Sequence, residues 1–144
     1  MEASERCLVL IRHFEGLRLE AYRCPAGVWT IGYGRTRGVS EGMTISTAKA
    51  DEFLREDVAS TEAELRTMLP GVQFTQGQWD ALVSLAYNVG ASRLPTVAPR
   101  FWKSLYAGDK SAAVVELCGI NRAGGKVLPG LTARRKAEAE LFLS

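Results

Sequence analysis

The chain has 144 residues, a formal net charge of +2, 47% hydrophobic and 24% charged residues, and three cysteines. Such a length suits one domain whose core hides about two-thirds of the unfolded chain's surface. The near-balanced charge excludes a strong nucleic-acid footprint, the lack of any ~20-residue apolar run excludes a helical membrane span, and Cys7, Cys24 and Cys118, odd in number and without metal spacing, exclude a disulfide framework or a cysteine metal site.

The opening MEASERCLVLIRHF has acids early and only a short apolar run, so it is not read as a signal peptide. Leu8, Ile11 and Phe14 recur at helical spacing. With Ser4 as N-cap and Gly16 just past the end, they predict a helix from Ser4 to Glu15. Glu15 then stands at the negative end of the helix dipole, which together with partial burial favours a protonated carboxyl and suits a general acid. Taken alone, it reads first as a solvated end-of-helix residue. Beyond Gly16 the period becomes two, with Leu17, Leu19 and Ala21 alternating with Arg18, Glu20 and Tyr22. A turn carrying Cys24, Pro25 and Gly27 leads into a returning strand, Val28 to Tyr33. There Thr30 shares a face with Val28 and Gly32, opposite Trp29, Ile31 and Tyr33, and can face a cleft. Threonine is also an ordinary strand former. Glu15, eight residues, Cys24, five residues, Thr30 is the spacing that results.

Gly38 to Met43 is a turn-rich loop, followed by a long helix from about Ser46 to Met68, stopped by Pro70 and Gly71. The polar residues through its middle, Arg55 to Asp57 and Ser60 to Glu62, read as a solvated face. Thr75 and Gln78 fit a capping box, and Phe74 with Trp79 a hydrophobic staple. Trp79, Leu82, Val83, Ala86 and Val89 make the following helix a core helix that ends at Asn88-Val89-Gly90. Further helices are predicted over Pro99 to Tyr106, Lys110 to about Cys118 with Asp109 as cap, and Thr132 to Leu143. Ala123-Gly124-Gly125 and Pro129-Gly130 read as turns. Arg134, Arg135 and Lys136 at the start of the last helix oppose its dipole and read first as a solvated basic patch, with one guanidinium reaching a cleft carboxylate as the alternative. His13 is the only histidine, which rules out a multi-histidine metal site, and the Gly32 to Gly38 glycines lack the spacing and βαβ setting of a nucleotide loop.

EGLRLEAYRCPAGVWTIGYG, Glu15 to Gly34, resembles the phage-type lysozymes, the glycoside hydrolase family 24 group of T4-like and lambdoid endolysins. The matching residues are Glu15-Gly16-Leu17-Arg18-Leu19, Tyr22, Gly27, Thr30-Ile31-Gly32 and Gly34. The likeness continues through FTQGQWDALVSLAYNVG (Phe74 to Gly90) and AGGKVLPGLTARRKAEAELFL (Ala123 to Leu143). It implies a catalytic set of Glu15, Cys24 and Thr30, with Glu15 as general acid and Cys24 where the family has Asp or, in some members, Cys. It also places Tyr87 and Asn88 at the helix end bordering the saccharide cleft, as an aromatic face and an amide for the sugar. The competing reading makes them a core tyrosine and a helix-terminal asparagine. The histidine that often follows Gly-x-Gly is Arg35 here. An ordinary thiol, with a pKa near ~8.5, is mostly neutral at pH 7. Three roles are therefore open to Cys24: positioning water beside Thr30, acting as base, or acting as nucleophile. Arg18, Arg23 and Arg35 are the charges in reach that would favour its thiolate. Glu20, on the strand face of Arg18 and Tyr22, is a poor substitute carboxylate.

The implied fold is α+β and lysozyme-like, a single domain over residues 1–144. A small antiparallel β lobe spans about 16–45, a connecting helix 46–69 and a larger all-helical lobe 70–144, with the helix over 4–15 packed on the latter and the cleft between lobes. The implied function is that of an endolysin: a muramidase, inverting, that hydrolyses the β-1,4 bond between N-acetylmuramic acid and N-acetylglucosamine in peptidoglycan and lyses the host. It needs no cofactor or metal, acts as a monomer, and depends indirectly on a holin. It is made in the host cytoplasm and acts in the periplasm or wall once the membrane is permeabilised. A regulatory disulfide from Cys24 to Cys7 would block the site. The rival from another class is a non-catalytic peptidoglycan-binding module that has kept the fold, for which the missing second carboxylate argues.

Overall fold

Capping chemistry frames the molecule, described for residues 1–144 by a computed structural model. Ser46 Oγ accepts from Lys49 N at 3.1 Å and opens the long helix over Thr47–Met68, hereafter α2; the N-terminal helix, Glu5–Glu15, is α1. Between them lies an antiparallel hairpin, β1 (Arg18–Arg23) and β2 (Trp29–Gly32). The Thr75–Gln78 capping box forms with both bonds present and opens α3 (Gln76–Val89), and the Phe74 and Trp79 rings meet at 5.6 Å as the predicted staple. A 3-10 turn (Ala91–Arg93) leads to α4 (Leu94–Val97), α5 (Pro99–Tyr106) and α6 (Lys110–Leu117), the last capped by Asp109. A small hairpin, β3 (Arg122–Ala123) and β4 (Lys126–Val127), precedes α7 (Pro129–Phe142). The fold is thus α+β, and its helical part is not all-helical, because Gly124-Gly125 turns a short ribbon rather than a bare loop.

α3 lies at the centre, buried at Gly77 and from Trp79 to Ala86, with α1, α2 and α7 packed around it. Apolar burial of this kind is the main driving force, at about 25 cal/mol per Å². Its tightest seam is with α7: a Cβ on Gly77 would stand 2.3 Å from Leu141 O, so only glycine permits this approach. Along the same antiparallel seam Ser84 meets Glu138, and Asn88 meets Arg135.

Several local expectations change in three dimensions. Ser4 precedes α1 but does not cap it with its side chain; its hydroxyl and N–H both bond the buried Asp80, a stronger acceptor than water offers at that position. Leu17 and Leu19 are about two-fifths exposed, because no layer covers that face of the hairpin. β2 ends at Gly32, so Tyr33 belongs to a turn rather than to the strand. The middle of α2 is not wholly solvated: Glu62 is buried and accepts from Trp79 Nε1 and Ala3 N, each at 2.8 Å. Pro129-Gly130 opens α7 instead of forming a turn, since proline suits the first helical position. Arg134 and Arg135 therefore sit in its second turn, and both are buried.

Candidate active site

Glu15 ends α1 because Gly16 leaves the helical conformation and returns its N–H to Arg12 O at 3.0 Å. The Glu15 side chain is one-fifth exposed, and Arg134 Nη1 donates to its Oε2 at 2.6 Å. The helix end therefore does not act on Glu15 alone; a guanidinium faces it. On its other side stands the turn Gly32-Tyr33-Gly34, closed by two 2.9 Å backbone bonds between Ile31 and Arg35. The Tyr87 hydroxyl donates to Tyr33 O at 2.6 Å and pins this turn to α3. A Cβ on Gly34 would lie 3.0 Å from Glu15 Oε1, and its φ of 93° is one that L side chains rarely adopt. Gly34 is thus a wall of the site, visible in the sequence only as one glycine of the resemblance.

From Gly34 and Tyr87 a polar trough of about 230 Å³ continues along Thr36, Arg37, Asp57 and Thr61. Asp57 Oδ1 accepts from Arg35 at 3.1 Å and from Arg37 at 3.3 Å; burial pushes its carboxyl up, and the two guanidiniums pull it back. Arg35 also lies 4.3 Å over the Phe53 ring, so the residue that departs from the resembled pattern is spent in tying the hairpin to α2. Hollows of about 330 Å³ beside Trp79 and 350 Å³ beside Phe101 are larger but hold none of the five candidate residues.

Arg134 and Arg135 correct the solvated-patch reading most sharply, at 3% and 1% exposed. Glu138, fully buried one turn on, explains why. Its Oε2 accepts from Ser84 Oγ at 2.5 Å and Arg134 Nε at 3.3 Å, and its Oε1 from Arg135 Nη1 at 2.5 Å. Burial pushes the Glu138 carboxyl up, opposed by Arg135 and then Arg134; three donors converging on it suit the carboxylate. Periodicity could not reveal this cluster, because three charged residues in one helix read as surface.

Cys24 and Thr30 meet at the far end of the hairpin. Cys24 N donates to Val28 O at 3.0 Å and Gly27 N to Cys24 O at 2.8 Å, so the turn is closed by backbone bonds. Thr30 is 4% exposed and donates to Val28 O at 3.0 Å, which leaves its oxygen free to accept. The Cys24 thiol is held below its ordinary range by hydrogen bonding to the Val28 backbone first; desolvation, next in size, opposes this, and the Ala26 backbone and the Thr30 hydroxyl add to the lowering. Backbone donors thus favour the thiolate, not the three arginines. Arg18 stacks on Tyr22, Arg23 on Trp29, and Arg35 is paired on α2. The three cysteines are free thiols, and Cys7 is buried in the core.

Tyr87 and Asn88 lie together in the last turn of α3. Tyr87 is half-buried and packs on the core, and its ring borders Gly34 and the trough; burial first, then the charge of Glu15, pushes its phenol up. Asn88 is exposed, and its Oδ1 accepts from Arg135 Nη2. Glu15 is thereby gathered with Gly34, Tyr87 and Arg134, and Cys24 with Thr30. No hydrogen bond joins the two groups. No group of three His, Cys, Asp or Glu side chains is placed to hold a metal ion, and no helix is long and apolar enough to cross a membrane.

The model of the family described as phage lysozyme matches residues 12–138. An endolysin of Acyrthosiphon pisum secondary endosymbiont phage 1 is 45% identical, over 100% of this chain and 99% of its own length. Among solved structures, an endolysin from Escherichia coli O157:H7 phage FAHEc1 is 36% identical, with TM-score 0.85 over 100% of this chain and 94% of that one. The muramidase domain of SpmX from Asticaccaulis excentricus is 32% identical, with TM-score 0.89 over 99% and 98% of the two chains. The fold expectation, a lysozyme-like α+β architecture, is met.

Proposed function

The chain belongs to the phage lysozyme family, and on that premise we propose that Glu15 is its general acid, with Thr30 and Cys24 positioning the attacking water and Tyr87 and Asn88 contacting the glycan. The enzyme is a lysozyme-type glycoside hydrolase, an endolysin muramidase acting on the peptidoglycan of the cell wall. The observation that carries the assignment is the Glu15 carboxylate, fixed by Arg134 at 2.6 Å and one-fifth exposed beside a polar trough. Glu15 protonates the oxygen that leaves the anomeric carbon. The water is held opposite by an acceptor lone pair of the Thr30 oxygen, whose one proton goes to Val28 O or to the Cys24 sulfur. Cys24 beside it, tilted toward the thiolate by backbone donors, takes up the water's proton or polarises the water. Thr30 and Cys24 form a group apart from Glu15, which supports room for sugar and water between them and hence inversion. Asn88, its oxygen held by Arg135, offers amide donors to a sugar hydroxyl or acetamido carbonyl.

The same reading has one domain, 1–144, acting as a monomer, with substrate taken up between the 16–45 region and the helices of 70–144. It is synthesised in the host cytoplasm and reaches the wall after a holin permeabilises the membrane. The test is release of reducing ends from purified peptidoglycan in reductant, wild type beside Glu15→Gln. A loss of about 10²- to 10⁴-fold in the variant is expected, the usual scale of acid–base catalysis. Wild-type release by Glu15→Gln would remove Glu15 from this role. A retained β anomer seen first by NMR would replace inversion with nucleophilic attack by Cys24.

A further inference from the structure

We infer that Glu138 is a positioning residue for hydrolysis, one buried carboxylate that sets both the guanidinium on the acid and the guanidinium on the glycan-facing amide. This rests on the assignment of Glu15 and Asn88 above. Each Glu138 oxygen serves a different arm. Oε2 takes Arg134 Nε at 3.3 Å, and the same guanidinium sends Nη1 to Glu15 at 2.6 Å and Nη2 to Ser84 O at 3.1 Å. Oε1 takes Arg135 Nη1 at 2.5 Å, and that guanidinium sends Nη2 to Asn88 Oδ1 and Nε to Ile120 O at 2.9 Å. All three nitrogens of each guanidinium are therefore committed, and a planar fork with three fixed points has no rotational freedom left.

Arg134, Arg135 and Glu138 are nearly sealed from water, two positive charges around one negative, and the one-fifth exposed Glu15 carboxyl faces Arg134 at the edge of this set. Two adjacent buried guanidiniums without Glu138 would repel each other in a medium of low dielectric. Glu138 is thus what lets Arg134 approach Glu15 and Arg135 approach Asn88 at once. Around it stand Arg134 and Arg135 from α7, Cys7 from α1 and Ser84 from α3, with Asp80 of α3 and Glu62 of α2 acting on Cys7. Glu138 touches no substrate; it acts through two others.

The experiment measures kcat and KM on purified peptidoglycan for Glu138→Gln, Glu138→Asp and Arg135→Met, with thermal unfolding of each and Glu15→Gln as reference. Glu138→Gln is expected to lower kcat about ten-fold or more and to raise KM, since placement of the reacting groups carries much of an enzyme's rate. Glu138→Asp keeps the charge and is expected to restore part of kcat. Arg135→Met removes the guanidinium that holds Asn88, together with its bonds to Glu138 and Ile120 O, and is expected to raise KM more than it lowers kcat. A folded Glu138→Gln with wild-type kcat and KM overturns the inference. So does an equal loss of kcat in Glu138→Gln and Glu138→Asp, the signature of a purely structural residue. If Glu138→Gln does not fold, a wild-type KM in Arg135→Met together with wild-type kcat in Glu138→Asp overturns it equally. Activity retained by Glu15→Gln is a different failure, that of the acid assignment itself.

Discussion

Glu15 is held by a guanidinium that Glu138 and Ser84 fix from behind and is walled by a glycine turn that Tyr87 pins to α3. Cys24 and Thr30 instead ride on a two-stranded hairpin whose turn is closed by backbone bonds alone, with Leu17, Leu19 and Val28 exposed around it. The acid side spends the long-range contacts of the chain: α1, α3 and α7 all contribute, across sequence separations of up to 119 residues. The water side is nearly all local, within seven residues. The Glu15 carboxyl faces a guanidinium, so its place depends on partners that are themselves fixed. A water holder needs only an acceptor at a set position, and a turn supplies that. The two sides should therefore fail differently, the first in stability and rate together, the second in rate alone.

The largest departure is expected at Arg134. Arg134→Met removes the buried guanidinium that lies between sealed Glu138 and partly exposed Glu15 and leaves both without their shared partner. Breaking a buried pair costs about 3–5 kcal/mol. Chemical denaturation should show that loss, and reducing-end release should fall with it; a fully stable Arg134→Met would mean that the acid side is not structurally coupled at all.

Gly34→Ala probes the same side without touching a charge. The new methyl would sit 3.0 Å from Glu15 Oε1, in a backbone conformation that costs about 1–2 kcal/mol for a non-glycine residue. Activity should drop at least about ten-fold while unfolding shifts only by that strain. Wild-type kcat in a stable Gly34→Ala would show that the wall tolerates displacement.

How much of this asymmetry the sequence could show follows from the same contrast. The water side was readable, because Cys24, Gly27 and Thr30 are neighbours and turn and strand rules act over that range. The capping box at Thr75 and the limits of α2 were readable for the same reason. The acid side was readable only at Glu15 itself. Its partner lies 119 residues away in a helix whose consecutive Arg134-Arg135-Lys136 imitates a surface, and nothing local distinguishes a guanidinium sealed by Glu138 from a solvated one. Glu62 and Asp57 were misread as solvated for the same cause: each is made tolerable by Trp79, Ala3 or Arg35, none of them near in sequence. Tyr87 and Asn88 fall between, placed correctly by the end of α3 but with their hydrogen bonds to Tyr33 and Arg135 unforeseen.

Across the cleft, Cys24→Ala and Thr30→Ala should each slow hydrolysis, and Thr30→Ala should change stability by about 1 kcal/mol, the usual net worth of a hydrogen bond such as Thr30 makes to Val28 O. Cys24→Asp should retain activity or raise it, since a carboxylate accepts from the same backbone donors and is ionised at neutral pH. Full activity in either alanine variant would take that residue out of the mechanism and leave the hairpin as a mere wall.

The finest distinction concerns the protonation state in which Cys24 would meet substrate. If Val28 and Ala26 donors hold its thiolate, alkylation of Cys24, followed site by site by mass spectrometry, should rise with pH earlier than in the same chain unfolded in denaturant. The sign is fixed by the donors: they bind the anion and not the thiol, so the folded state releases the proton at lower pH. Thr30→Ala should move the curve only slightly back, because the Thr30 hydroxyl ranks behind both backbone contacts. A curve for the folded protein that coincides with the unfolded one would mean that Cys24 meets substrate as a neutral thiol. The work on the water would then rest with Thr30, and Cys24→Ala should cost less than Thr30→Ala.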